Sequence, residues 1–271
     1  MPGRHAGMTS AEPGTDSLVA TIVLITGANK GIGYEVARLL GEAGATVLLG
    51  ARDTERGRAA ERSLREMGID ADHLALDVTN DALIDQAATW IESEHGRLDI
   101  LVNNAGITGG RGSGRPSETP LRILRDVYET NVFGVVAVTN AVLPLLQRAP
   151  AARIVNVSSE VGSIEATLRR DGPMWPMASI PYPTSKTALN MVTAMYAKEL
   201  WDTPIKVNAA NPGYCATDLN DHSGFRTAEQ GAEVIVHLAT LPNDGPTGSF
   251  YGHLSVADPG PDDPEYGTLP W

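Results

Sequence analysis

The chain reads LVATIVLIT from Leu18 to Thr26 and then GANKGIG from Gly27 to Gly33. The first nine residues form an apolar run of the kind that a strand buried on both faces requires. Beyond the glycines, Val36, Leu39 and Leu40 recur at helical spacing between Gly33 and Ala43, so the stretch reads strand, glycine turn, helix. Such a junction presents unpaired N–H groups and the positive end of a helix dipole, which together favour an anion such as a pyrophosphate. Glycine is needed because a side chain would hold the phosphate away from the backbone. The spacing is G-x3-G-x-G, one residue longer than the G-x-G-x-x-G dinucleotide fingerprint, so the flanking strand and helix carry the assignment more than the motif does.

Working outward, the alternation repeats. Strands are predicted at Thr46–Gly50, His73–Leu76, Leu98–Val102, Arg153–Val157, Ile205–Ala209 and Ser249–Tyr251, with helices at Glu55–Met67, Asp81–Glu94, Leu121–Leu146, Tyr182–Leu200 and Ala228–Thr240. Strand–helix alternation implies parallel pairing, and right-handed crossovers then build a doubly wound, mostly parallel, seven-stranded sheet with helices on both faces. The fold class is α/β. Nothing divides residues 18–256, which are expected to form one domain. Residues 1–17 are read as a disordered leader without the apolar segment of a signal peptide, and the proline-rich residues 257–271 as an irregular tail.

Charge narrows the partners. With 21 Lys and Arg against 33 Asp and Glu in 271 residues, the net charge is −12, which repels phosphate backbones and anionic lipid. No nucleic acid and no membrane partner is expected, and no apolar run approaches the roughly 18 residues of a membrane span. A lone cysteine, Cys215, rules out an intrachain disulfide framework and fits a reducing, cytoplasmic setting. The six histidines show no ligand spacing, so no metal is expected.

A second pattern lies in PYPTSKTALN, Pro181 to Asn190. On a helix, Tyr182 and Lys186 stand about one turn apart and share a face. A free tyrosine titrates near about 10, so an ammonium that favours its ionised form would make it a usable proton donor at neutral pH. The same spacing also occurs in plain surface pairs and gains meaning only beside a nucleotide site and a third polar group. At the end of the second strand, Gly50-Ala51-Arg52-Asp53 bears on cofactor choice. Arg52 suits a ribose 2′-phosphate through a bidentate contact, with Lys30 as a second cation; in the alternative, Asp53 accepts from the 2′-OH of NAD. NADP(H) is the expected cofactor.

Four motifs in order, Thr26-Gly27-x3-Gly31-Ile32-Gly33, Asn103-Asn104-Ala105-Gly106, a strand ending Val157-Ser158-Ser159, and Tyr182-x3-Lys186, resemble the short-chain dehydrogenase/reductase family over about residues 20–252. Gly27–Gly33, Arg97–Val102 and Thr217-Asp218-Leu219 followed by Ala228–Glu233 are similar to its NADPH-dependent carbonyl reductases. The resemblance implies a Rossmann fold and hydride transfer between NADP(H) and a small-molecule carbonyl or alcohol. It implies that Tyr182 protonates the carbonyl oxygen, and that Lys186 holds the nicotinamide ribose and lowers the tyrosine pKa. Ser159 would hydrogen-bond the substrate oxygen; it is preferred to Ser158 because Gly162 supplies the family's x-x-Gly. Asn131 would position a water in the proton relay. For the cofactor, the resemblance implies Gly27, Asn29, Lys30, Gly31, Ile32 and Gly33 around the pyrophosphate and Arg52 at the 2′-phosphate. It further implies Asp77 and Val78 at the adenine, Asn104, Ala105 and Gly106 on the ribose side, and Pro212, Gly213 and Thr217 at the carboxamide.

The chain departs from most of the family between Ser159 and Tyr182, where Glu165–Ile180 is an apparent insertion. Met174, Trp175, Met177 and Ile180, with Tyr214, are expected to wall the substrate pocket and to favour a bulky apolar or aromatic ketone, aldehyde or quinone. The alternative is that they pack the loop onto the domain or a second subunit. His222 and Phe225 fall in a loop that can act as a lid, and Cys215 is read as a bystander. The resemblance leaves monomer and homodimer both open. A non-catalytic NADP(H)-binding sensor or scaffold is the alternative function, and retention of both Tyr182 and Lys186 counts against it.

Overall fold

The computed structural model describes residues 18–110, 115–253 and 265–271. The elements run β1 (Ile22–Thr26), α1 (Gly31–Glu42), β2 (Thr46–Ala51), α2 (Thr54–Glu66), β3 (Ala71–Ala75), α3 (Asp81–His95) and β4 (Ile100–Asn103). Next come α4 (Leu121–Tyr128), α5 (Gly134–Leu146), β5 (Arg153–Val157), α6 (Ile164–Leu168), α7 (Pro181–Glu199), β6 (Lys206–Asn211), α8 (Ala228–Ala239), β7 (Phe250–His253) and β8 (Tyr266–Thr268). They build a Rossmann-like sheet of order β3-β2-β1-β4-β5-β6-β7-β8, parallel from β3 to β7.

The sheet has eight strands where seven were expected. The added one, β8, lies in the tail expected to be irregular and pairs antiparallel with β7, Gly252 opposite Gly267. The leader 1–17 and the tail residues 257–264 lie outside the described residues. Two further boundaries moved: the first strand begins at Ile22, and the single helix expected over Leu121–Leu146 is interrupted by a π-helical turn at Glu129–Phe133.

Alternate residues of the central strands feed opposite layers. Val23 and Ile25 of β1 pack with Val36 and Leu40 of α1, Leu64 of α2 and Ile235 of α8. Ile22 and Leu24 pack with Ile91 of α3, Val138 and Val142 of α5 and Ala197 of α7. This is why the strands read as apolar runs without alternation. Helix starts are fixed locally: Asp53 caps α2, Asn80 caps α3, and Thr227 with Gln230 forms a capping box on α8. The stretch Leu121–Leu146 is long and apolar enough by composition to cross a membrane, but half of its most apolar window is buried inside this domain.

Candidate active site

The sheet order reverses at β1, which lies between β2 and β4, so the loops leaving β1 and β4 diverge and open a crevice beyond their carboxyl ends. Thr26 ties these loops together. Its Oγ1 accepts from the N–H groups of Asn104 and Ala105, both at 3.0 Å. The Asn104 amide in turn donates to the carbonyls of Thr26 at 2.9 Å and Gly27 at 3.1 Å. A Cβ on Gly33 would stand 2.4 Å from that amide nitrogen, and one on Gly27, where φ is +65°, 3.0 Å from Ala105 Cα. The Asn104 side chain therefore braces the glycine turn.

No side chain caps α1 and no acid stands in its first turn, so its N-terminal amides and dipole remain available to an anion. Asn29 and Ile32 are half-buried beside this turn, and α8 approaches Ile32 at Gly231. Lys30 departs from expectation: its Nζ pairs with Asp218 in the loop after β6, and His222 Nε2 lies 2.9 Å from the same carboxylate. Lys30 holds the Asp218 carboxyl below the usual range. Arg52 is exposed at the end of β2, and among the described residues no carboxylate pairs with it. Asp53 is committed elsewhere, accepting from the Arg56 N–H at 3.0 Å and facing its guanidinium at 3.4 Å. Asp77 accepts from Thr79 N–H and Oγ1 at 2.9 and 2.7 Å, and Val78 is buried where a Cβ on Gly134 would touch its carbonyl.

The polar groups of the second motif converge at the carboxyl end of β5. Pro181 opens α7, where its missing N–H costs nothing, and places Tyr182 in the first turn. Ser159, which precedes a 3-10 turn, Glu160–Gly162, is the neighbour that acts to lower the phenol's pKa. A Cβ on Gly162 would come 2.8 Å from the Lys186 carbonyl carbon, so glycine is what lets the Ser159 turn press against α7. Lys186 is buried, its ammonium 5.4 Å from the Tyr182 ring centroid and donating to the Val157 carbonyl at 2.7 Å. Gly106 keeps space open before this group, since a Cβ there would lie 3.4 Å from Asn131 Oδ1 and 3.7 Å from Lys186 Nζ.

Burial governs both protons. It pushes the Tyr182 phenol up to about 12, with Ser159 pulling the other way, and brings the Lys186 ammonium down to about 8. Lys186, which the resemblance implied would lower the Tyr182 pKa, is not among the causes of this shift, which burial dominates. Asn131 sits in the π-helical turn, fully buried. It accepts from Ile107 N–H and donates to the Ile107 carbonyl, both at 2.9 Å, and donates to Ser185 Oγ at 3.0 Å.

The loop after β6 brings Pro212, Gly213 and Thr217 to the crevice, Thr217 facing Gly31. Tyr214 and Phe225 form an exposed aromatic pair, 6.2 Å between centroids. Trp175 and Met177 are also exposed, and Trp175 meets the Arg170 guanidinium at 5.3 Å. Cys215 is buried and its thiol raised to about 11 by burial, as suits a bystander. Sequence reading missed Thr26, Ser185, Asn190 and Arg226 as organisers. Asn190 accepts from Ser158 Oγ at 2.6 Å and donates to Gly162 O at 3.5 Å, gripping the Ser159 turn at both ends.

Comparison with known proteins agrees with this geometry. The short chain dehydrogenase family model matches residues 21–228, and the chain belongs to that family as an oxidoreductase. A (+)-neomenthol dehydrogenase of Capsicum annuum is 31% identical over 86% of this chain and 96% of its own length. The structure of salutaridine reductase from Papaver somniferum superposes with a TM-score of 0.75 at 29% identity, covering 85% of this chain and 99% of that one. A short chain dehydrogenase of Shigella flexneri complexed with NADP gives 0.75 at 29% identity, covering 86% and 97%.

Proposed function

We propose that this oxidoreductase reduces a bulky apolar or aromatic ketone, aldehyde or quinone with NADPH. The observation that carries the reading is the buried Lys186 ammonium, 5.4 Å from the Tyr182 ring and donating to the Val157 carbonyl at the end of β5, with Ser159 leaving the same strand. The residues present fit the cofactor: an uncapped helix start, a glycine at 106 before the lysine, and Arg52 without a carboxylate partner among the described residues. When bound, the nicotinamide supplies the hydride. Ser159 and Tyr182 hold the substrate oxygen, and Tyr182 delivers the proton to it. Lys186 places a positive charge beside the phenol, which favours release of that proton. Asn131 fixes the Ile107 backbone and, through Ser185, the start of α7.

Preference for NADP(H) is supported by Arg52 and by the commitment of Asp53 to capping α2. The NADP-bound relative points the same way. Preference for a bulky apolar substrate is supported by the exposed Trp175, Met177, Tyr214 and Phe225 on the loops beside the crevice. The test follows loss of reduced-nicotinamide absorbance with NADPH or NADH and a panel of aromatic ketones, quinones and aldehydes. Turnover is expected with NADPH and should fall about a hundred- to ten-thousand-fold in Tyr182→Phe. NADPH binding with no turnover on any panel member would replace the enzyme reading by that of a sensor or scaffold.

A further inference from the structure

Arg226 ends the loop that follows β6, yet it is 5% exposed. Its main chain closes that loop: Ala216 N–H donates to the Arg226 carbonyl at 2.8 Å, and Arg226 N–H donates to the Tyr214 carbonyl at 3.2 Å. Its side chain runs the other way, beneath Gly213, where φ is +77° and a Cβ would meet Arg226 Cδ at 2.7 Å. The guanidinium then reaches the C-terminal strand, donating to Glu265, to the Tyr266 hydroxyl at 2.6 Å and to the Gln230 carbonyl at 3.0 Å. It also lies 5.4 Å from the Tyr266 ring centroid. A parallel chain of rings joins the same parts: Tyr214 to Phe225 at 6.2 Å, Phe225 to His253 at 6.0 Å, and His253 to Tyr266 at 6.3 Å.

We propose that Arg226 is a positioning residue, through which Glu265 and Tyr266 of the C-terminal segment set the shape of the loop carrying Gly213, Tyr214 and Thr217. One buried guanidinium is shared by a strand on the far edge of the sheet and a loop at its mouth, so the loop cannot shift without breaking its charge-assisted bonds to the half-exposed Glu265 and to Tyr266. The consequence for binding rests on the reading of this loop as facing cofactor and substrate. The consequence for loop order does not.

Full-length wild type, Arg226→Met, Arg226→Lys and Tyr266→Phe are compared at a temperature where each is folded. Two readouts are taken: hydrogen exchange of the amides of residues 214–226, and NADPH Kd with carbonyl KM and kcat. Arg226→Met should speed exchange in the loop and raise NADPH Kd and KM about tenfold, more than it lowers kcat, with Arg226→Lys recovering part of the loss. If Arg226→Met does not fold, Tyr266→Phe, which removes one hydroxyl, should show the same pattern more weakly. Lowered melting temperature with unchanged loop exchange and unchanged Kd and KM would overturn the proposal in favour of a merely structural arginine. A wild type that binds no nicotinamide cofactor would sink the functional reading instead, and loop exchange would still decide the role of Arg226.

Discussion

Lys186 lies in the interior because α7 carries it under the tyrosine ring, and the proton equilibrium shows the cost. Its folded value, about 8, lies below its ordinary 10.5, so between those pH values the unfolded chain binds more protons than the native one. Stability from this group therefore rises with pH across that window, and the penalty for burying the ammonium is present in full below pH 8. Lys186→Met should be inactive yet more stable than the parent at pH 7, by on the order of 2 kcal/mol after loss of the Val157 bond, with the gap closing toward pH 10.5. Denaturant melts at pH 7 and 10 check this; a variant no more stable at pH 7 removes the argument. At this scale the sequence disclosed what lies close along the chain. Tyr182 and Lys186 were legible as one helical face from their spacing, and their roles with the Ser159-x-x-Gly162 turn through the resemblance. Asn104, Lys30 and Arg226 were not, because the partners that decide their orientation lie 77, 188 and 39 residues away.

Among the elements, the parallel strands declared themselves because burial on both faces removes polar residues from them. β8 did not, since three residues with a glycine at the centre and a proline shortly after carry no periodicity to read. The π-helical turn at Glu129–Phe133 was equally silent: its residues keep helical spacing, and what widens the backbone there is not written in hydropathy. The approach of the Ser159 turn to α7 yields a sharp expectation. A methyl group at position 162 would lie 2.8 to 3.0 Å from the Lys186 backbone carbonyl and Cβ, contacts that only a shift of the turn relieves. Gly162→Ala should cost about 1–3 kcal/mol of stability and, by moving Ser159 from Tyr182, lower kcat more than it raises substrate KM. Unaltered kcat would show that the turn adjusts without moving the serine.

For the whole molecule, ligand binding and folding are linked. A ligand at about one hundred times its Kd stabilises the native state by about 2.7 kcal/mol, and a domain of this size gains roughly 2–4 °C per kcal/mol. NADPH should raise the melting temperature by roughly 5–10 °C and NADH by less at the same concentration. Arg52→Ala should remove the difference between the two; an Arg52→Ala protein that still prefers NADPH would place the discrimination elsewhere. The doubly wound architecture followed from the alternation of the chain, while the way in which the sheet ends did not. At that end Leu269 packs with the fully buried Phe250 of β7, and Trp271 stacks on the same ring at 5.7 Å. An open strand edge is a template on which another chain can extend a sheet. Tyr266–Thr268 covers that edge of β7 with a strand only three residues long, followed shortly by Pro270, which has no N–H to offer. The stretch 265–271 thus leaves β7 no open edge on that side for another strand to extend.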